Sequence, residues 1–98
     1  MRNRTIWKYE LPGTQINDIM MKSGAFILDI QIQQDPRDGS PHLCLWALVN
    51  PDTSCPDVMR RIEMHPTGQE IQGTDELKHI KTLQSPGGLV WHFFERPL

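Results

Sequence analysis

Cysteine is scarce in this chain, with only Cys44 and Cys55 among its 98 residues. Two thiols cannot build the disulfide framework of a small secreted domain. A Cys44–Cys55 bridge fits the spacing, but Cys44 lies in an apolar strand pattern, where a free thiol behaves as a small buried hydrophobe. Long apolar runs are missing as well. None approaches the roughly 18 residues that a membrane-spanning helix needs. The opening Met1-Arg2-Asn3-Arg4-Thr5-Ile6-Trp7-Lys8 carries charge with no apolar signal region behind it, so the cytoplasm is the expected compartment, with no membrane partner. An excess of one charge is lacking too, since 10 basic and 12 acidic side chains leave a formal charge of -2. That balance removes the strongest argument for non-specific nucleic-acid binding and equally the argument for an acidic DNA mimic.

The motifs of chemistry are also absent. No C-x-x-C pair and no H-E-x-x-H occurs, although His42, Cys44, Cys55, His65, His79 and His92 could each donate to a metal. Ser23, Ser40, Ser54 and Ser85 all stand in turn sequences, outside any G-x-S-x-G elbow. The carboxylate pairs Asp35/Asp38 and Asp52/Asp57 read as loop solubilisers, and Gly87-Gly88 reads as a turn without phosphate-loop spacing. The expectation is a protein that is not an enzyme and holds no metal or cofactor.

What is present is a rhythm of short strands. Thr5 to Leu11 alternates with Thr5, Trp7, Tyr9 and Leu11 on one face, and Pro12-Gly13 ends it. Thr14 to Gly24 reads as a connection with a short strand at Asp18–Met21. Ala25 to Gln34 places Phe26, Leu28, Ile30 and Ile32 on one face by strict alternation. The turn formers from Asp35 to Pro41 predict an exposed hairpin loop. His42 to Val49 is apolar on both faces, so it reads as an interior strand with cover on both sides. A loop over Asn50–Asp57 precedes a strand from Val58 to His65, and Gln69 to Gly73 could form a short edge strand.

Thr74 to Gln84 supports two readings. Thr74 before Asp75-Glu76 resembles a helix start, whereas His79–Leu83 followed by Ser85-Pro86-Gly87-Gly88 resembles a strand and turn, which the β-leaning flanks favour. Leu89 to Phe94 is a dense apolar strand. The sum predicts one domain over residues 1–98: all-β, or β-dominated α+β with one short helix near 75–84. Its architecture is a small antiparallel sandwich or barrel of 5–7 strands.

Three tryptophans, one tyrosine and five methionines suit an interface as well as a core. Basic and aromatic residues gather at Arg2, Arg4, Trp7, Lys8 and Tyr9 and again at Arg60-Arg61, which makes these seven the candidate interaction surface. If nucleic acid were the partner, the basic members would have to converge on one face. A small enzyme or metal protein would instead need a pocket collecting some of His42, Cys44, His65 and His92. The two-faced runs 42–49 and 89–94 call for a second sheet, a second copy or a partner as cover.

One set of motifs carries a family likeness. Ile6-Trp7-Lys8-Tyr9-Glu10, Leu45-Trp46-Ala47-Leu48-Val49-Asn50-Pro51 and the closing Gly87, Gly88, His92, Phe94 and Glu95 span most of the chain. Together they resemble a family of small uncharacterised proteins of tailed bacteriophages and prophages, with an IWKYE-like start and an L-W-A-L-V-D-P-like segment. Asn50 stands where that segment has Asp, and the loop 35–40 is longer than the family's hairpin. The resemblance implies a small accessory protein in a bacterial host cell, acting by stoichiometric binding to a host protein, with anti-defence (anti-CRISPR-like) inhibition as one form. It transfers no catalytic residue.

Overall fold

Period-two patterning and frequent turn formers resolve into seven β-strands in a computed structural model that describes residues 3–98. The strands are β1 (Thr5–Glu10), β2 (Ile16–Lys22), β3 (Phe26–Gln34), β4 (Pro41–Val49), β5 (Asp57–Pro66), β6 (Lys78–Gln84) and β7 (Val90–Arg96). A single 3-10 turn at Thr74–Glu76 is the one helical element among the described residues. The ambiguous stretch is therefore both things in sequence, an acidic helical turn followed by a strand. All pairings are antiparallel, in a three-stranded sheet ordered β1-β4-β3 and a four-stranded sheet ordered β2-β5-β7-β6. The all-β expectation holds, and of its two forms, sandwich or barrel, the chain takes the two-sheet one.

The core lies between the two inner faces. Ile30, Leu45, Ala47 and Val49 of the three-stranded sheet meet Met21, Ile62 and Phe93 of the four-stranded one, with Leu11 and Ala25 closing the ends. Asn17 is buried among them and fully hydrogen-bonded, since its amide holds both the β1–β2 turn and a carbonyl of β5. The sheets are also joined by charge: Lys81 Nζ stands 3.0 Å from Asp29 Oδ1. At the β2–β3 end, Arg60 grips Glu95 with two bonds of 2.6 and 2.7 Å and donates to the Ala25 carbonyl.

Several local expectations need correction. Strict alternation put Phe26, Leu28, Ile30 and Ile32 on one face, but a β-bulge shifts the register between Ile27 and Asp29. The extra residue swaps the faces upstream of it, so Ile27 and Ile30 both pack inward while Phe26 and Leu28 stand exposed on the outside. Gln69 to Gly73 is not an edge strand. Its backbone folds over the outer face of the four-stranded sheet, where Arg96 takes the Gln72 and Gly73 carbonyls at 2.7 and 3.1 Å. Trp7 shares the inner face with Tyr9 by register but stands 38% exposed on the edge strand β1, outside the core that Tyr9 and Leu11 join. The outer face of β4 lacks the second cover that its apolar residues called for: Trp46 and Leu48 are only half-buried there.

Gly73 illustrates how tightly the 67–77 connection is held. Its φ of +65° is left-handed, and a Cβ added there would stand 2.8 Å from Arg96 Nη1. Gly73→Ala should therefore cost about 1–2 kcal/mol from the left-handed backbone. Urea denaturation should show it as a lower midpoint with an unchanged slope. An unshifted midpoint would mean that this turn relaxes freely.

Candidate interaction surfaces

The seven residues singled out from sequence do not form one surface. Arg2 lies outside the described residues. Arg4 lines an open polar crevice of about 770 Å³ with Asn50, Asp52 and Cys55. On β1, Lys8 points outward and donates to Gln33 at 2.9 Å, while Tyr9 turns inward with its hydroxyl buried. Arg60 faces inward to Glu95, and its neighbour Arg61 faces outward to Asp18 in a two-bond pair of 2.8 and 2.9 Å. Adjacent residues of a strand point to opposite faces, so that parting was readable in the sequence. Lys8, Arg60 and Arg61 thus occupy three different surfaces, and each has a hydrogen-bonding partner. This is not the converged basic face that phosphate binding requires.

The histidines and cysteines are likewise divided. His42 and Cys44 lie on the outer face of the three-stranded sheet, and His65, His79 and His92 on the outer face of the four-stranded one. Among the described residues, no group of three His, Cys, Asp or Glu side chains is placed to hold a metal ion. Cys44 is buried, which pushes its thiol upward from the ordinary value, and both cysteines are free. Cys55, within the β4–β5 loop, is half-buried.

One cluster has the connectivity of a hydrolytic triad. Ser40 Oγ stands 3.0 Å from His42 Nε2, and His42 Nδ1 meets the Glu10 carboxylate. The Glu10 hydrogen bond raises the His42 pKa above its ordinary value. Two features oppose acyl transfer. The Ser40 backbone N–H is already given to Asp38 Oδ1 at 2.8 Å, and the Asp35 carboxylate lies 3.8 Å from His42 Nε2. A negative charge there repels the oxyanion that such chemistry develops. The cluster instead clasps the β3–β4 hairpin to β1.

On the opposite side, Glu63 and His65 are buried although their strand turns them outward, because the 67–77 connection lies over them. Arg96 holds both Glu63 oxygens, and His65 bridges Glu63 Oε1 and Gln69 Oε1 at 2.8 Å each. The Arg96 bond keeps the Glu63 carboxyl below its ordinary pKa, against the burial that would raise it. Beside this knot His92 bridges Thr67 and Thr82, and Phe94 has His65 and His79 for ring neighbours. The polar groups are largely spent on one another, which is the mark of a structural lock.

What remains for contact is apolar. On the four-stranded sheet, Met20 and Met59 sit directly opposite each other and are 52% and 50% exposed. The Lys22–Asp57 ion pair borders them on one side, the Asp18–Arg61 pair on the other, and exposed Ile16 follows beyond it. On the three-stranded sheet, Ile6, Leu48 and Phe26 form one cross-strand row, with Ile6 and Phe26 57% and 60% exposed. The next rows are Lys8–Trp46–Asp29 and Glu10–Cys44–Gln31. Sequence alternation had assigned Phe26 to the core and Met20 to an uncertain connection. The signal for Met20 was present in the alternation of Asn17, Ile19 and Met21 against Ile16, Asp18 and Met20.

Fold and surface together define a two-sheet antiparallel β domain with apolar groups standing out from both outer faces. The chain belongs to the family described as a domain of unknown function (DUF7352), whose model matches residues 2–98. Among curated proteins and among solved structures, none matches the chain.

Proposed function

We propose that this protein acts by stoichiometric binding to a protein of a bacterial host, in the host cytoplasm, as a small phage or prophage accessory factor and not as an enzyme. Components of anti-phage defence are the target class this reading favours. The observation that supports it is the Met20–Met59 pair, two flexible apolar side chains exposed side by side and bordered by ion pairs. Methionine adapts its shape to a partner, and an apolar centre with a charged rim is the ordinary anatomy of a protein contact. The phage-family resemblance of the Ile6–Glu10 and Leu45–Pro51 motifs supports the setting.

Tagged protein, passed through bacterial lysate with and without nuclease, should retain one host protein in equimolar amount in both arms. Met20→Glu combined with Met59→Glu should weaken that retention by roughly 30-fold or more, as loss of a contact centre does. Both positions are half exposed, so circular dichroism should show an unchanged fold. Recovery of nucleic acid alone, lost on nuclease treatment, would overturn the proposal.

A further inference from the structure

The chain exposes more surface than its size requires. Its accessible area is 6607 Å², against about 5,700 Å² for a compact monomer of the same mass. Its radius of gyration is 14.4 Å, against about 12.6 Å for a globule of this length. The surplus of about 900 Å² is close to the roughly 800 Å² that each partner buries in a standard protein interface. The shape agrees, since a body measuring 43 × 40 × 19 Å is a thin slab with two broad faces.

The outer face of the β1-β4-β3 sheet exposes the larger apolar side chains. Its central strand carries Trp46 and Leu48, and the bulge in β3 turns Phe26 and Leu28 out beside them. The lateral order of the charges bears on what covers it. In the row Lys8–Trp46–Asp29, a cation that donates to Gln33 stands on β1, an aromatic on the central strand, and on β3 a carboxylate that Lys81 already pairs within its own chain. A two-fold axis running along β4 in the plane of contact lays β1 of one copy over β3 of the other, at the same height. Lys8 of each copy then faces Asp29 of its mate, Ile6 faces Phe26, and Trp46 and Leu48 meet their own equivalents. Sheets stacked in this way cross by about 30°, so the facing is approximate along the strands. A face with like charges at the two flanks would repel its own copy; here Lys8 meets a carboxylate that it would share with Lys81, so the flanks do not oppose contact.

We infer that the outer face of the three-stranded sheet is a homodimer interface, its occupant a second copy of this chain packed face to face about an axis along β4. The apolar centre supplies the affinity, and placing Lys8 over Asp29 rather than over a second Lys8 favours this orientation. Such a dimer buries Ile6, Phe26, Leu28, Trp46 and Leu48 and turns both four-stranded sheets outward. The Met20–Met59 surface is then displayed twice, on opposite sides. The inference does not depend on the host-partner reading, because it uses the other face.

Sedimentation velocity on the full chain from about 1 to 200 µM should show a species of twice the 11.3 kDa chain mass. Phe26→Glu should weaken self-association by roughly 30-fold or more. Circular dichroism should stay near that of the parent, since Phe26 is exposed. The urea midpoint should match at concentrations where the parent is monomeric and fall below it only where the parent is dimeric. In a Cys55→Ser background, Leu48→Cys should cross-link two copies on mild oxidation, and Ile16→Cys, on the far face, should not. A monomer across the whole range would overturn the inference. So would association that keeps growing beyond two copies, or cross-linking through position 16 in place of 48. Phe26→Glu should change mass and leave capture of a host protein intact, whereas the methionine variants should do the reverse.

Discussion

Replacing Asn17 with leucine should lower stability by about 3 kcal/mol, although leucine is apolar and fits a core of this kind. Asn17 is wholly buried, and its amide makes four bonds to backbone. Oδ1 accepts from the N–H groups of Gly13 and Thr14 at 2.9 and 3.3 Å, and Nδ2 donates to the carbonyls of Thr14 and Ile62 at 2.8 and 3.1 Å. Leucine replaces the volume and none of the bonds. The turn groups can turn partly to water, but the bond to the Ile62 carbonyl is buried, so its loss carries a desolvation cost. A domain of this size should lose about 12–24 °C in Tm for that change. Asn17→Asp keeps the Oδ1 acceptor and aims its second carboxylate oxygen at two carbonyls, so it should be at least as damaging. If both variants melt with the parent, the side chain does not anchor the β1–β2 turn.

The second large effect should come from Arg96. Arg96→Ala removes both bonds to Glu63 and the two that hold the Gln72 and Gly73 carbonyls. A buried carboxylate then keeps only His65, and breaking a buried pair by removing one partner costs about 3–5 kcal/mol. Arg96 is itself partly exposed, so the loss should fall short of that for a fully buried pair and read out as a lower urea midpoint with an unchanged slope. In a Glu63→Gln background the same change should cost much less, because no charge is stranded; equal costs in both backgrounds would show that the two residues are not coupled.

The pH dependence carries a defined sign. The folded pKa of Glu63 is depressed, so its contribution to stability is present above the unfolded value of about 4.3 and is lost as pH falls through the folded value. Arg96→Ala removes the cause of that depression, so stability between about pH 3 and 5 should fall less steeply with acid than in the parent. Asp18, Asp35 and Asp38 are depressed by their own hydrogen-bond partners, and Asp29 is depressed by its partners against the burial that raises it; none of them bonds Arg96, so they contribute equally in both proteins. The difference between the two profiles therefore isolates Glu63. Hydrogen exchange should also show residues 67–77 opening first in the Arg96 variant.

The corrections share a physical origin. The bulge near Leu28 depends on how β3 registers with β4, and one extra residue reverses the face of everything on one side of it. Alternation within a single strand cannot reveal that. The loop over Glu63 and His65 depends on Arg96, 33 residues from Glu63 along the chain, with nothing local to mark the pair. Arg60 and Arg61 differ, because strand parity alone separates them and a strict reading of period two would have found it.

The chain's alternation and turn residues determine on their own that this is a β protein, with hairpin turns near 35–40 and 85–89 and a central strand at 41–49 apolar on both sides. Those are local properties, set by the geometry of a pleated strand and of residues that favour turns. Pairing was decided only in three dimensions, for β1 with β4, β2 with β5 and β5 with β7 all join segments distant in sequence. That pairing put Phe26 and Met20 outside, buried Asn17 and Glu63, and drew Lys8, Trp46 and Asp29 into one row. Contact surfaces are made from rows across strands, and a row exists only after the strands have met.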